Sequence, residues 1–411
     1  MWRSAIDAIR SQETVRLVAR WIFPVSSDPI ERGVIQVCDG QIEFVEPLAG
    51  RSCTGTFDFG NSAIIPAVVN AHAHLEFSDL EEPIEPPAPF AAWIQNLMGH
   101  RQTRQEATVT LAARGAEQSG KLGTTIVGDI VTGDWKPEPV RCAGSQVVAL
   151  REFIGLQPDR FESQIDLAMD HLFECGQAST SFGFSPHAPY SVAWELFLSL
   201  VDLAKEHQRP LSIHLAETRA EIELLNSGRG ELVEMLKRLD VWRADAIPRE
   251  MRPLDYLNQL EELNSASIAH GNYLSDEELC FLSKHPNITT IYCPRTHNYF
   301  GHEPHPWRRL LAEGASVALG TDGRSSNPDY SLWAEVLFLD RKSNGLLRPS
   351  LLDMATRQGA RALGVASSVG TFETWQCAEP MLVQFGTGRS EDPWELLFDP
   401  GCRPEPFVPL G

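Results

Sequence analysis

The chain has 411 residues and 43% of them are hydrophobic, so it is long enough to bury a large core, as two or three domains or as one barrel with additions. It carries 35 Lys and Arg residues against 55 Asp and Glu residues, a formal net charge of −20. A surface this acidic repels phosphate groups, which argues against nucleic acid and anionic membranes as partners.

The two ends of the chain differ in pattern from its middle. Residues 1–12 are expected to form a short helix or a loose arm. From Val15 to Asn61, short runs of alternating polarity are separated by Gly and Asp-Gly, which is typical of a small antiparallel sheet. After Gly370, strand-like runs return before a proline-rich tail.

Between these ends, short apolar runs alternate with segments of helical length, which indicates a parallel sheet. Eight such runs over roughly 260 residues match the usual size of a (β/α)8 barrel. The predicted strands are 63–70, 124–129, 146–155, 181–186, 210–216, 266–271, 288–293 and 316–321. The predicted helices include 106–120, 192–207, 218–239, 276–284, 306–314 and 347–364.

The first predicted barrel strand leads into the sequence Asn70-Ala71-His72-Ala73-His74. Residues i and i+2 of a strand point to the same face, so His72 and His74 are expected to project together where the strand ends. Two neutral imidazoles on one face can hold a divalent metal. An isolated His-x-His is more often a pair of ordinary polar residues, so a metal site here needs further ligands elsewhere in the chain.

Further polar residues follow the later predicted strands. His187 follows the fourth strand, His214 and Glu217 belong to the fifth, His270 ends the sixth and Asp322 ends the eighth. The chemistry of a (β/α)8 enzyme lies at the C-terminal ends of its strands. Each residue taken singly can be a satisfied structural group, but their shared position predicts one site. Three histidines and one carboxylate suit Zn²⁺ or Fe²⁺.

Six motifs, in this order, resemble the deaminase and chlorohydrolase branch of the amidohydrolase superfamily: PAVVNAHAHLEFS, SPHAPYS, SIHLAET, IAHGN, YCPRTHNYFG and ALGTDGRSSN. The resemblance extends from residue 15 to about residue 370. It implies a (β/α)8 barrel over residues 62–369. Beside it, residues 1–61 (an N-terminal arm followed by strands) and residues 370–411 would form a small β-sandwich.

The resemblance also implies a metal site and roles for its neighbours. The implied ligands of one divalent metal ion are His72, His74, His214 and Asp322. Glu217 would shuttle protons, while His270 and Asp322 would align the attacking water or accept its proton. Many two-metal members need a carbamylated lysine at the end of strand four, but this chain has no lysine between Lys136 and Lys205. We therefore expect one metal, Zn²⁺ in preference to Fe²⁺.

Each candidate substrate contact can instead have a purely structural role. Trp93 can stack on a heteroaromatic ring or simply pack its helix. Glu76 and Glu152 can bind ribose hydroxyls or an amino group, or remain solvated carboxylates. His187 matches a position that commonly contacts substrate in the family. Arg295, after strand seven, can bind a substrate carboxylate or belong to an ordinary polar loop.

Within the branch, HLEFS, REFIG and HAPYS are most similar to aminodeoxyfutalosine deaminases of the alternative menaquinone pathway. Their substrate is an adenosine-like nucleoside carrying a benzoate. We therefore predict a metal-dependent hydrolytic deaminase of an aminated purine nucleoside. The alternatives are a chlorohydrolase or another carbon–nitrogen hydrolase acting on a heterocycle and, more remotely, a non-catalytic binding barrel.

The remaining predictions concern location and partners. Eight cysteines occur without a Cys-x-x-Cys pair, so we expect reduced thiols rather than a disulfide scaffold. The first residues lack the apolar core of a secretory signal, and no apolar run approaches the ~18 residues of a membrane span. We expect a cytoplasmic protein that binds a small-molecule substrate, with a homodimer as one assembly to consider.

Overall fold

The computed structural model describes residues 1–48, 55–137, 144–178, 181–386 and 390–405. Its larger sheet has eight parallel strands whose spatial order follows the chain, with helices between them. A second, smaller sheet forms a separate domain from the N- and C-terminal segments. The prediction of a (β/α)8 barrel with a small β domain is therefore confirmed.

The barrel strands are buried on both faces, as the apolar runs of the sequence suggest for a parallel sheet covered by helices. Every residue of the second strand, for example, is buried. The eight strands are Val69–Ala73, Ile126–Val131, Gln146–Phe153, Phe182–Pro186, Leu211–Leu215, Ala266–His270, Ile288–Tyr292 and Ser316–Leu319.

The first and last barrel strands are joined by hydrogen bonds just beyond the end of the eighth. The amide of Asn70 donates to Thr321 Oγ1 at 2.7 Å, and its Oδ1 accepts from the Thr321 backbone at 3.1 Å. The backbone nitrogens of Thr321 and Asp322 both donate to the His72 carbonyl, at 3.1 and 3.0 Å. Two site-bearing segments are thereby held together at the C-terminal rim.

The smaller sheet revises one predicted strand. Ser62–Ile65 pairs with Val15–Ile22 and with Met381–Gln384, whereas Val69–Ala73 begins the barrel. The single strand predicted at 63–70 is therefore wrong, because Pro66, which has no N–H, lies where the chain leaves one sheet for the other. The remaining strands of this sheet are Ile30–Cys38, Gln41–Pro47, Thr56–Asp58 and Pro404–Glu405. The domain limits at residues 62 and 370 stay a prediction.

Two predicted helices are broken. The segment 218–239 forms Arg219–Ser227 and Glu231–Arg238, separated by Gly228 and Gly230, which both have positive φ angles. The segment 347–364 breaks at Thr356, where φ is −129° and ψ is −91°. Its two parts are Arg348–Ala355 and Arg357–Ala362. The other helices are Trp2–Arg10, Phe90–Thr103, Thr108–Lys121, Phe161–Ala178, Trp194–Glu206, Pro253–Leu260, Asp276–Leu282, Pro294–Phe300, Trp307–Ala312, Leu332–Ser343 and Pro393–Leu397, with short 3₁₀ turns at Leu75–Phe77 and Pro158–Arg160.

The N-terminal segment packs onto the smaller sheet. The helix Trp2–Arg10 buries Ala5, Ile6 and Ile9 in the core of that sheet, so the N-terminal arm is a docked helix. The last residues of the proline-rich tail, 406–411, lie outside the described residues.

Two further features bear on the predictions for cysteines and membranes. The six cysteines within the described ranges form no disulfide with one another, while Cys53 and Cys142 lie outside those ranges. None of the helices in the described part of the chain combines the length and apolar composition needed to cross a bilayer.

Candidate active site

Three predicted metal ligands meet at the C-terminal rim of the barrel. One ring nitrogen from each of His72, His74 and His214 lies within 4.8 Å of the others. His74 Nε2 and His214 Nε2 are 3.2 Å apart. All three residues are buried.

Hydrogen bonds hold the backbones of His72 and His74 and the ring of His214. The Asn70 side chain accepts from the His72 backbone at 3.3 Å, and the Tyr330 hydroxyl donates to the His74 carbonyl at 2.9 Å. His214 Nδ1 lies 2.8 Å from the His187 carbonyl, which can only accept, so Nδ1 carries the proton. This arrangement leaves the Nε2 lone pair of His214 free for a ligand, as is usual for metal-binding histidines.

The residues present fit a divalent cation. Both ring nitrogens of His72 and Nδ1 of His74 are buried without a hydrogen-bond partner among the described residues, and unpartnered buried polar atoms are costly. Burial, followed by the charges of neighbouring histidines, lowers the pKa of His72 and His74 well below the ordinary value. The rings are therefore neutral, which is the state that binds a metal.

Asp322 borders this cluster. Its Oδ1 lies 3.7 Å from His74 Nε2 and 3.9 Å from His72 Nε2. The Gly323 backbone donates to Oδ1 at 2.8 Å and the Ser326 hydroxyl donates to Oδ2 at 2.9 Å. Burial raises the pKa of Asp322 to about 6, although these two hydrogen bonds oppose the rise. Its place as the fourth ligand stays a prediction.

Glu217 and His270 face each other beside the cluster, with His270 Nε2 3.6 Å from Glu217 Oε1. Burial, then the charges of Asp322 and Glu221, raises the pKa of Glu217 well above its ordinary value. The Glu221 carboxylate accepts from the backbone nitrogens of Ala216 and Glu217 at 2.7 and 3.0 Å. Glu217 is therefore a buried carboxyl group on an anchored backbone.

Three strand ends at this rim adopt the left-handed backbone conformation. The φ angles are 54° at Ala216, 73° at His270 and 59° at Asp322. Such angles are uncommon for residues other than glycine and cluster at functional sites. They turn the chain two residues after His214 and at His270 and Asp322, where the site residues leave the sheet.

These residues open into a cavity of about 380 Å³. Its polar floor contains the site residues, and most of its wall is apolar. The helix Phe90–Thr103 lines one side with residues at helical spacing, and the segment around Glu231–Arg238 lines another. The lining residues are His74, Phe77, Phe90, Trp93, Ile94, Leu97, Met98, Arg101, Glu152, Ile154, His187, Tyr190, Ser191, His214, Glu217, Met235, Leu236, Leu239, Val241, His270, Asp322 and Ser325.

Three predicted substrate contacts, Trp93, Glu152 and His187, reach this cavity. Trp93 lines the wall, and its ring stacks on Phe90 with centroids 5.6 Å apart. His187 lines the floor, with Nδ1 2.6 Å from the Ser191 hydroxyl. Their contact with a substrate stays a prediction.

Glu76 is not among the residues that line this cavity, and its contact with a substrate stays a prediction. Its carboxylate is not part of the cavity lining and is occupied by Arg101 Nη2 at 2.7 Å, Arg104 Nη1 at 2.6 Å and the Thr132 hydroxyl at 2.8 Å. Burial alone would raise its pKa, but the two arginines and the hydrogen bonds hold the pKa of Glu76 below the ordinary value. Glu76 is therefore an internal counter-ion.

Arg295 is likewise not among the lining residues, and its contact with a substrate carboxylate stays a prediction. Its Nε lies 2.5 Å from the fully buried Glu335 carboxylate, and its Nη2 lies 2.7 Å from Asp329 Oδ1. Its backbone nitrogen also donates to Glu335, at 2.9 Å. Arg295 therefore fastens the helix Leu332–Ser343 to the helix that follows strand seven.

Arg101 and Tyr190 line the cavity but were not singled out from the sequence. Arg101 had a detectable signal, because Phe90, Trp93, Leu97 and Arg101 recur every three to four residues along one helix. That spacing places Arg101 on the same face as the aromatic residues. Tyr190 gave no comparable signal, because it lies in a loop.

Comparison with known proteins gives three kinds of match. A protein-family model described as "Amidohydrolase family" matches residues 63–378. The 5-methylthioadenosine/S-adenosylhomocysteine deaminase of Moorella thermoacetica is 28% identical over 386 residues, which cover 88% of this chain and 83% of that protein. The aminodeoxyfutalosine deaminase of Deinococcus radiodurans is 28% identical over 330 residues, 77% of each chain. The solved structure of Helicobacter pylori aminofutalosine deaminase in complex with methylthio-coformycin has the same fold, with a TM-score of 0.78, 23% identity and coverage of 93% of this chain and 94% of that chain.

Proposed function

Because the chain belongs to the amidohydrolase family, as its motifs suggested, we propose that it is a metal-dependent hydrolase that releases ammonia from an aminated purine nucleoside. One observation carries the proposal: the histidine cluster, the buried carboxyl of Glu217 and an apolar, aromatic wall all border a single cavity. The relatives named as nucleoside deaminases support the same reaction class.

We assign the metal to His72, His74, His214 and Asp322, and propose Zn²⁺. Three neutral imidazoles and one carboxylate are a donor set that Zn²⁺ binds readily, although Fe²⁺ accepts similar ligands. When bound, such an ion supplies Lewis-acid chemistry that makes hydroxide available near neutral pH.

Glu217 is proposed as the proton shuttle. Its raised pKa favours the protonated carboxyl, which can donate to a ring nitrogen of the purine as hydroxide attacks the neighbouring carbon. The resulting carboxylate can then take the proton of the added hydroxyl group and deliver it to the amino group. It regains a proton from the next water molecule when that water forms hydroxide. Ammonia leaves, and the amino-substituted carbon becomes a carbonyl.

His270 and Asp322 are proposed to hold the attacking water in line with that carbon. His270 is buried, and burial, followed by the charges of neighbouring histidines, lowers the pKa of its ring well below the ordinary value. A neutral ring has one donor and one acceptor nitrogen, so it can bind water without carrying charge. Asp322 supplies a carboxylate acceptor whose other oxygen is fixed by Ser326.

The apolar wall is proposed to hold the flat base and its substituent. Trp93 and Phe90 present aromatic surface, and Leu97, Leu236 and Val241 extend that surface around the cavity. Aromatic side chains bind planar rings by offset or edge-to-face contact. A purine suits this wall better than a strongly solvated, acyclic substrate.

Aminodeoxyfutalosine is the substrate we propose within this class. Support comes from the HLEFS, REFIG and HAPYS motifs and from the Deinococcus relative named for that activity. A contact between its benzoate and Arg295 adds no support, because Arg295 is bound to Glu335 and Asp329. 5′-Deoxyadenosine and 5-methylthioadenosine are the matched competitors, since they keep the aminated base and lack the benzoate.

The deciding experiment measures ammonia release by the Zn²⁺-loaded protein from these three nucleosides. We expect turnover of all three and the highest kcat/KM for aminodeoxyfutalosine. If the protein turns over only 5′-deoxyadenosine and 5-methylthioadenosine, the assignment as a nucleoside deaminase stands and aminodeoxyfutalosine is rejected as the substrate. Failure on all three, with turnover of a chlorinated or amide-bearing heterocycle, would reject the deaminase assignment.

A further inference from the structure

Two charged side chains stand in the cavity wall away from the histidine cluster. Arg101 comes from the helix Phe90–Thr103, and Glu152 comes from the barrel strand Gln146–Phe153. The helix is otherwise apolar where it meets the cavity. Charged groups in such a wall are costly unless a partner satisfies them.

Arg101 has donor capacity that the protein does not use. Its Nη2 binds Glu76 Oε1 at 2.7 Å, but its buried Nε has no acceptor within the described part of the chain. Glu76 is shared, because Arg104 Nη1 lies 2.6 Å from the second oxygen and Thr132 also donates to the first. One carboxylate therefore serves two guanidinium groups, which leaves positive charge at the cavity.

Glu152 has acceptor capacity that the described residues do not use. Its side chain is 6% exposed, and its carboxylate accepts no hydrogen bond from the described residues. The nearest basic atom, His187 Nε2, is 3.9 Å away, beyond hydrogen-bond reach. Ser191 donates to the Ala188 carbonyl and so accepts from His187 Nδ1, which leaves His187 Nε2 as a second acceptor. The carboxylate thus lacks a donor.

We propose that Arg101 and Glu152 together bind the vicinal hydroxyls of the substrate's ribose, an inference that rests on the proposed function. Each hydroxyl carries one donor and two acceptor positions, so the pair of hydroxyls can donate to Glu152 and accept from Arg101 at the same time. A carboxylate on the substrate satisfies Arg101 alone and adds negative charge beside Glu152. The diol is the group that meets both requirements.

The test compares the binding of inosine with that of 2′,3′-dideoxyinosine to the Zn²⁺-loaded protein by calorimetry. Binding needs no turnover, so the result is independent of whether the enzyme deaminates. Hydrogen bonds to charged groups predict that the protein binds inosine about 10- to 100-fold more tightly. Glu152→Gln and Arg101→Met should each bring the ratio of the two dissociation constants towards one, mainly by weakening the binding of inosine.

Arg104→Met is the matched control, because Arg104 binds the same Glu76 and does not line the cavity. It should leave the ratio unchanged. Arg101→Lys and Glu152→Asp, which keep the charges, should retain part of the preference, and the melting temperature of every variant checks that it is folded. An unchanged ratio in both charge-removing variants, an equal change in Arg104→Met, or no binding of inosine at millimolar concentration would overturn the proposal.

A second comparison separates the diol from a substrate carboxylate. If Arg101→Met selectively weakens aminodeoxyfutalosine relative to 5′-deoxyadenosine and leaves the inosine ratio intact, Arg101 binds a carboxylate and the proposal is overturned. If wild-type protein binds inosine in preference to its dideoxy form and releases no ammonia from any nucleoside, the diol site stands and the deaminase assignment fails.

Discussion

His74 Nε2 and His214 Nε2 lie 3.2 Å apart, although 140 positions separate the two residues in the sequence. With His214 Nδ1 directed at the His187 carbonyl, the Nε2 of that ring has no proton to donate. A hydrogen bond from His74 Nε2 to this lone pair would still leave both buried ring nitrogens of His72 without a partner among the described residues. A cation shared by the three rings engages one nitrogen of each, and so explains the whole cluster.

This relationship predicts one tightly bound divalent metal per chain. His72→Ala should abolish metal retention, while His207→Ala, a partly exposed histidine outside the site, should retain it. Elemental analysis after gel filtration measures the stoichiometry.

Removal of the metal by a chelator should lower the melting temperature, since a ligand at 100 times its Kd stabilises the folded protein by about 2.7 kcal/mol. Two metals per active chain would contradict the mononuclear site.

Glu217→Gln should keep the metal and lose turnover. The variant preserves the size of the side chain and removes the titrating proton, and general acid–base catalysis contributes about 10²–10⁴-fold. Steady-state kinetics together with metal analysis measures both effects. Glu223→Gln, on the exposed face of the following helix, should behave as wild type. A Glu217→Gln rate within a few-fold of wild type would remove Glu217 from the mechanism.

Arg295→Ala should destabilise the protein rather than change its substrate preference. The change leaves the fully buried Glu335 without its counter-ion, and breaking a buried pair costs about 3–5 kcal/mol. Chemical denaturation should show this loss, whereas Arg341→Ala, an exposed arginine on the same helix as Glu335, should cost little. A selective rise in KM for aminodeoxyfutalosine, with normal stability, would restore Arg295 as a carboxylate anchor.

His171, remote from the metal ligands, should make the protein less stable in mild acid. Burial, with a contribution from the charge of Arg151, lowers the pKa of His171 to about 3. The unfolded side chain takes up a proton below pH ~6.5, whereas the folded one stays neutral down to its own pKa, so the free energy of unfolding falls as pH drops through this window. The loss by pH 5.5 is about 1.4 kcal/mol.

The variant His171→Phe tests this, because its ring can pack against the same neighbours, Trp135 and Phe182, without titrating. Urea denaturation at pH 8 and pH 5.5 should show a smaller pH-dependent loss in the variant than in the wild type. Parallel losses in the two proteins would show that His171 does not contribute.

Much of the site could be predicted from local sequence. Alternating strands and helices imply a parallel barrel, and the barrel places residues at strand ends on one rim, so His72, His74, His214, His270 and Asp322 converge without any knowledge of distances. Strand periodicity is a local property, and the direction of each histidine follows from it.

What only the tertiary structure decided is which charged side chains face the cavity. Glu76, Arg101 and Arg295 have long side chains, and their partners come from segments distant in sequence. Burial of each charge requires a counter-ion, and whether the protein or a ligand supplies it depends on how the segments pack. Glu335 is the counter-ion of Arg295, whereas Arg101 lines the cavity, where a ligand can reach it. The left-handed φ angles at Ala216, His270 and Asp322 were likewise not evident from the sequence, because residues other than glycine rarely adopt them.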